Sequence, residues 1–588
     1  MPDSTPRIYS NVWRPLFLLL LLLFTAGSAC AQAPSWQSVL AASGGSGRVE
    51  ALATDAAGNV YLTGTFNGNL TFGSTTLIGA GFADVFVAKW NPTTNTFVWA
   101  KRAGGADNDY AGDIAVSGAN IYIVGSFEST PADFGPHILR NAQPPTVPFN
   151  FRSDAFVAKL VDSGSDASFA WARQAGGPGF DIASAVVASG NTVYLAGRHG
   201  APSATFGGLT VVNSSSGTQL NTDLFVAKLT DTGSSGTFEW VQTGGGLGSD
   251  YAAALAVSGS SLYLSGAFQN YATLGSTTLN APGCTSGYVA KLTDAGTSGR
   301  FVWSQALGSS QNFNSSSATA LAVRGASVYL AGNFDGTGTF GSTALASAGS
   351  SDVFVTRLTD SGAGAAVDWA RRGGGGGFEG VGALVLHNTD VYVTGGFLSP
   401  TATFGGTVLT NLDPATTTSS GGPDIFLTKL TDTGSFSWTQ QAGSRYGDTG
   451  LALATHGPAL YTAGYATVPA IFGGFSLPGT INFSLPFIAS IGTGDPLAAT
   501  PARLQPRQPA YPNPVRATVT VPLPATAGHT PGLLTLTNTV GQVVVSQSVL
   551  LTSSPSSCQV LLAHLPHGLY TLQVQAGRVL TSEKLMIE

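Results

Sequence analysis

Apolar and polar residues alternate along most of this chain, or apolar residues gather in short runs bounded by Gly, Ser and Asp. Both patterns belong to strands, whose successive side chains point to opposite faces. No stretch holds a helical period of about 3.6 residues for long. The pattern also recurs. Val60-Tyr61-Leu62-Thr63-Gly64 is an aromatic strand ending in Gly, and its Tyr returns at Tyr122, Tyr194, Tyr263, Tyr329, Tyr392 and Tyr461, each with Gly three residues on. A Phe-Gly step follows at Phe72, Phe134, Phe206, Phe340, Phe404 and Phe472, with Leu274 in its place once. Then comes Asp84-Val85-Phe86-Val87-Ala88-Lys89, echoed around Phe156, Phe225, Tyr288, Phe354 and Phe426. A Trp strand completes the unit at Trp99, Trp171, Trp240, Trp303, Trp369 and Trp438.

Units of 61 to 72 residues with four main strands predict the blades of a β-propeller. The surplus length falls in variable stretches such as 140–153 and 410–423, read as loops on one rim. The seventh unit, near Tyr461 and Phe487, runs out before any Trp, and the missing piece stands at the front. Residues 36–45 (Trp-Gln-Ser-Val-Leu-Ala-Ala-Ser-Gly-Gly) look like 99–105. The expected fold class is therefore all-β: a seven-bladed propeller over 34–492, closed by the N-terminal strand so that no end-to-end edge is left free. These repeats resemble the SBBP family, β-propeller repeats of secreted bacterial proteins. That resemblance implies a fold and no particular reaction.

From 493 to 510 the chain turns rich in Pro, Ala and Gly and reads as a linker. A smaller β-domain follows over 511–588, with strands expected at 518–523, 533–537, 542–551, 559–562 and 570–574, fitting a small immunoglobulin-like sandwich. Its opening Tyr511-Pro512-Asn513-Pro514, with Thr539-Val540-Gly541-Gln542 at a hairpin, Leu565-Pro566-His567-Gly568-Leu569-Tyr570 and Lys584-Leu585 near the end, resembles a type IX secretion sorting domain of type A. The resemblance implies an outer-membrane translocon as partner of 511–588 and a secreted or cell-surface destination reached through the periplasm.

The N-terminus fits that route. Arg7 and Arg14 precede an apolar run and then small residues through Ala33, the layout of a signal peptide over 1–33. Cys30 would admit a lipid-anchored alternative, but Gly27 stands where a lipobox usually has Leu. The run is shorter than the roughly 20 residues of a membrane span, and no later segment is expected to cross one. The net charge of −6 becomes −7 once Asp3, Arg7 and Arg14 are removed, which gives no footing for nucleic acid.

Catalytic patterns are scarce. The seven His residues do not cluster at metal spacing. Cys284 and Cys558 fall in different domains and read as free thiols. Gly-rich stretches such as 373–377 lack the Lys-Ser/Thr of a phosphate loop and read as turns. One feature draws attention: Asp109, Asp181, Asp250, Glu379 and Asp448 each lie ten residues after their unit's Trp, about five before the next apolar strand, with Ser46 in that slot once. Two readings of them stand. In one they ring one mouth of a central channel as a ligand site, with Ca²⁺ as the candidate ion; in the other each caps its own turn. No other cofactor is expected. A non-catalytic protein binding an extracellular glycan or protein is the leading functional expectation. A propeller hydrolase or lyase acting on polysaccharide or peptide, and a structural surface-layer component, are the alternatives.

Overall fold

The computed structural model describes residues 33–142, 152–200, 202–214, 221–309, 314–414, 421–479, 483–493, 509–523, 530–538, 543–552, 556–563, 565–576 and 579–588. Apart from Ala33, the signal-peptide segment lies outside them, as do the 539–542 hairpin and all but the ends of the linker. The described residues are all-β, and the chain divides into two compact units, Met1–Gly494 and Asp495–Glu588.

The larger unit repeats one antiparallel sheet. In the second repeat the four strands are Asp109–Ser117, Asn120–Phe127, Asp154–Asp162 and Ala167–Gly176, paired in chain order. The last sheet is built differently. Thr449–His456, Ala459–Thr467 and Ser484–Gly492 supply three strands, and the fourth is Trp36–Ala41, with Trp36 opposite Ile491. Every first strand carries a bulge at the same place, such as 49/51, 111/113 and 450/452, which leaves one residue unpaired.

The recurrent aromatics hold neighbouring sheets together. Each of seven apolar clusters takes residues from two consecutive sheets, and one joins the last sheet to the first through Ala452, Ala454, Tyr461 and Ile488 against Val49, Leu62, Phe86 and Trp90. The Phe-Gly step is a short hairpin that reaches back onto the fourth strand of the preceding sheet. Gly104 pairs with Asp133, Gly176 with Thr205, Gly308 with Thr339 and Gly374 with Thr403.

The repeated Lys has a polar counterpart in the next sheet. Lys159 Nζ donates to Asp231 Oδ2 at 2.6 Å, the Tyr122 hydroxyl to the same oxygen at 2.7 Å, and Trp171 Nε1 to Oδ1 at 3.0 Å. The same four-group clamp recurs with Asp162, Asp294 and Asp360, and Arg357 replaces Lys against Asp432. Burial alone would raise these four clamp acids. Their Lys, Tyr, Trp and backbone donors outweigh it and hold Asp162, Asp231, Asp294 and Asp360 below the ordinary Asp value. At the joint between last and first sheets this acid has no counterpart. There, fully buried Trp90 packs edge-on against Tyr461, with ring centroids 5.5 Å apart.

In the smaller unit, Thr518–Leu523 pairs with Ser556–Leu561, and a second sheet runs Val543–Leu551, Thr530–Thr537, Gly568–Ala576, Val579–Ile587. Its core is Val519, Val521, Leu534, Leu536, Leu572, Val574 and Leu585. The strand Val579–Ile587 falls outside the sequence expectation, because Ser582-Glu583-Lys584 interrupts its apolar alternation.

Candidate functional site

Asp109, Asp181, Asp250, Glu379 and Asp448 are all buried, and their carboxylates face backbone amides. Where a fourth strand turns into the next first strand, one N–H has no strand partner, and the acid four residues on accepts from it. Gly105 N–H donates to Asp109 Oδ2 at 2.7 Å, Gly177 to Asp181 at 2.9 Å, Gly246 to Asp250 at 2.7 Å, Gly375 to Glu379 at 2.7 Å and Ser444 to Asp448 at 2.7 Å. The other oxygen accepts from the end of the second strand, as from Gly200 at 3.1 Å, Gln269 at 3.0 Å and Thr467 at 2.7 Å. Of the two readings, this geometry is that of five separate turn caps. Its physical reason is the demand of buried amides for acceptors. The acids also stand at or next to the start of the first strand, not about five residues before it: Asp109–Ser117 and Glu379–His387 begin with them. Among the described residues, no group of three His, Cys, Asp or Glu is placed to hold a metal ion.

Each cap acid has a carboxyl neighbour from the third strand. A Cβ on Gly104, whose φ is +131°, would sit 2.5 Å from Asp84 Oδ1 and 2.7 Å from Asp109 Oδ2, so only glycine fits between them. The same arrangement pairs Asp154 with Asp181 around Gly176 and Asp424 with Asp448 near Gly443. Oδ1 of Asp154 and of Asp424 is buried without a hydrogen-bond partner. Burial, and then the neighbouring carboxylate, push Asp181 up to about 8 and Asp448 to about 7, against the donors they accept. Burial likewise raises Asp154 and Asp250 to about 7 and Asp109 and Asp424 to about 6.

A different set of side chains faces solvent at the same end of the sheets. One cavity of about 560 Å³ takes Arg48, Asn67, Asn108, Tyr110, Tyr465 and Phe483 into its wall. A second, of about 610 Å³, shares Arg48 and Tyr110 with it and adds Glu50, Glu128 and Phe180. Together they form one trough. Arg48 Nε donates to Glu50 Oε1, and Asn108 Nδ2 donates to Glu128 Oε2 at 3.1 Å. Burial raises Glu50 against the pull of Arg48, and burial raises Glu128 with Asp107 adding to it. Beside the trough, a narrower cavity of about 250 Å³ is walled by residues from all seven first strands, with Glu50 and Asp113 its charged members.

Sequence reading passed over Arg48, Glu50, Tyr110 and Glu128. A signal for them exists. At the bulge position Glu50 replaces Gly112, Ser184, Ala253, Thr319, Gly382 and Leu451, so the repeat is broken there by charge. Seeing it requires a register that strand pairing supplies and the sequence does not print.

In the smaller unit the structure brings together the two ends of the sorting motif. Asn513 Nδ2 donates to the Lys584 carbonyl at 2.8 Å, and Met586 N–H donates back to Asn513 Oδ1 at 2.9 Å. The Tyr570 hydroxyl donates to the Pro566 carbonyl at 2.9 Å.

No curated protein matches this sequence. Among solved structures, a Trypanosoma rangeli sialidase aligns over 84% of this chain and 86% of its own, with 11% identity and a TM-score of 0.29. A GH43 protein from Bacillus licheniformis aligns over 78% and 96%, with 10% identity and a TM-score of 0.22. At those scores neither bears on the reaction. Residues 509–588 match the family described as secretion system C-terminal sorting domain. They form a type IX secretion sorting domain, which engages that export machinery and directs the chain to the cell surface or the extracellular space.

Proposed function

We propose that this chain is a secreted binding protein: a closed seven-bladed propeller of SBBP type that presents the trough at Arg48 and Tyr110 to an extracellular ligand. A signal peptide over 1–33 and a linker over 493–510 complete the export design, and the sorting domain has an immunoglobulin-like form. Support for closure comes from the pairing of Trp36 with Ile491 and from the core shared by last and first sheets. The observation that carries the binding reading is the break in the repeat. Buried positions keep their Tyr, Phe and Trp from sheet to sheet, whereas charged and aromatic substitutions gather where two open cavities adjoin. Charged and aromatic substitutions gathered at an open place on a rigid repeat suit that place for contact.

A hydrolytic reading rests on one observation: Glu50 and Glu128 line the same cavity, and burial raises both. The two readings separate in one experiment. The mature full chain is incubated with extracellular polysaccharide and with peptide, and both retention and new chain ends are measured. Retention without new ends fits binding. New ends abolished by Glu50→Gln would establish hydrolysis in its place. Export is tested on cells. Removal of 511–588 should leave a folded propeller in the periplasm, and normal arrival of that truncated chain at the surface would overturn the sorting role of the tail.

A further inference from the structure

We infer that the trough is a carbohydrate site, built for a neutral sugar chain. The inference rests on the binding reading and names its ligand class. Three features of the trough converge on it.

The first is the pair of exposed rings. Tyr110 is 38% exposed and Phe483 50%, in a protein whose recurrent aromatics are buried. A ring left in water at a cavity wall offers a flat apolar face, the complement of the C–H face of a pyranose. The second is the set of polar groups beside those rings. Arg48, Glu50, Asn67, Asn108 and Glu128 are planar amide, carboxylate and guanidinium groups. Such groups can bond two neighbouring hydroxyls at once. Glu50 already holds Arg48, and Asn108 holds Glu128, so the donors and acceptors are fixed in place before any ligand arrives.

The third feature is charge. The two cavity walls carry one cation, Arg48, against two carboxylates, Glu50 and Glu128. A polyanionic chain would meet net repulsion there, which favours a neutral chain over an acidic one.

The test is affinity electrophoresis of the mature full chain through gels containing glucan, mannan or arabinoxylan, with polygalacturonate as the charged comparator. The chain should be retarded by at least one neutral polysaccharide. Tyr110→Ala and Arg48→Ala should each weaken that retardation about tenfold, while Phe378→Ala, an exposed ring outside the trough, should leave it unchanged. Arg48 is half exposed, so its variant keeps the test open if Tyr110→Ala does not fold. Retardation insensitive to both trough variants, or equally sensitive to Phe378→Ala, would overturn the assignment. So would retardation by polygalacturonate alone, or capture of a peptide ligand by the trough without any neutral polysaccharide, although the binding reading would then survive. Failure to retain any polysaccharide or peptide would remove both.

Discussion

Asp231 shows how a single residue joins two sheets. Its side chain is almost wholly buried, and it accepts from Lys159, Tyr122 and Trp171 at once. Deleting the acid leaves a buried ammonium with no counter-charge, which is far more costly than the net value of the pair itself. Asp231→Ala should therefore lose about 3–5 kcal/mol in urea denaturation. A loss below about 1 kcal/mol would mean that aromatic packing alone holds the joint. The cap acids and their carboxyl neighbours behave in the opposite sense. Asp109, Asp154, Asp181, Asp250, Asp424 and Asp448 have folded values raised to between about 6 and 8, from an ordinary 3.8. A raised carboxyl favours the fold when protonated, so its contribution is complete below about 3.8 and is lost as pH rises through the folded value. His199, which burial pushes down to about 4, works against this below its ordinary 6.5. The clamp acids, held low, lose their contribution only as pH falls below the ordinary Asp value. The six raised carboxyls and Asp113, which burial also raises to about 6, outnumber His199 and should make the melting temperature higher near pH 5 than at pH 8, with Asp181→Asn flattening the rise. A flat or inverted profile in the parent chain would show that the paired carboxyls share no protons.

At the level of strands, the N-terminal segment is the informative case. Trp36–Ala41 lies at the edge of the last sheet, and Trp36 is buried with its ring edge-on to Phe472 at 5.4 Å. Removing 36–45 strips the outer strand from that sheet, and its loss should lower the melting temperature of the whole larger unit. Trp36→Ala alone should cost about 3–5 kcal/mol. Unchanged melting in both variants would refute the closing role. This strand was legible in the sequence because the seventh unit lacks a Trp strand and 36–45 offers one, but the register differs: pairing puts Ser38 opposite Ser490 in the Trp slot and Trp36 in the place that Phe97 takes in the first sheet. The Phe-Gly steps were legible as features but not as hairpins on the preceding sheet, since a one-dimensional pattern does not say which sheet a strand joins. The acids illustrate the limit most sharply. Their ten-residue spacing was visible, and their burial was not. A repeated Asp looks the same whether it faces a channel or a backbone amide, and only the position of Gly105 relative to Asp109 decides. Arg48 and Glu50 were hidden for the converse reason: they break a pattern whose register depends on the bulge at 49/51.

For the molecule as a whole, the pairing of Trp36 with Ile491 has a consequence for where the chain can begin. In the second repeat a short turn over 163–166 joins the third strand to the fourth, and 36 and 491 stand to each other as Phe169 and Leu160 do, two pairs in from that turn. The native ends are thus two sides of a cut hairpin. Nothing in the sheet requires the cut to fall there. A circular permutant that joins 493 to 34 by a four-residue turn and opens between 163 and 166, with the sorting domain following its new end, should fold. It should melt as one transition within a few degrees of the parent, checked by calorimetry. A permutant that aggregates or melts in two steps would show that the native starting point matters to the fold. If it folds, the starting point is a property of the gene, and the domain itself has as many possible beginnings as it has sheets.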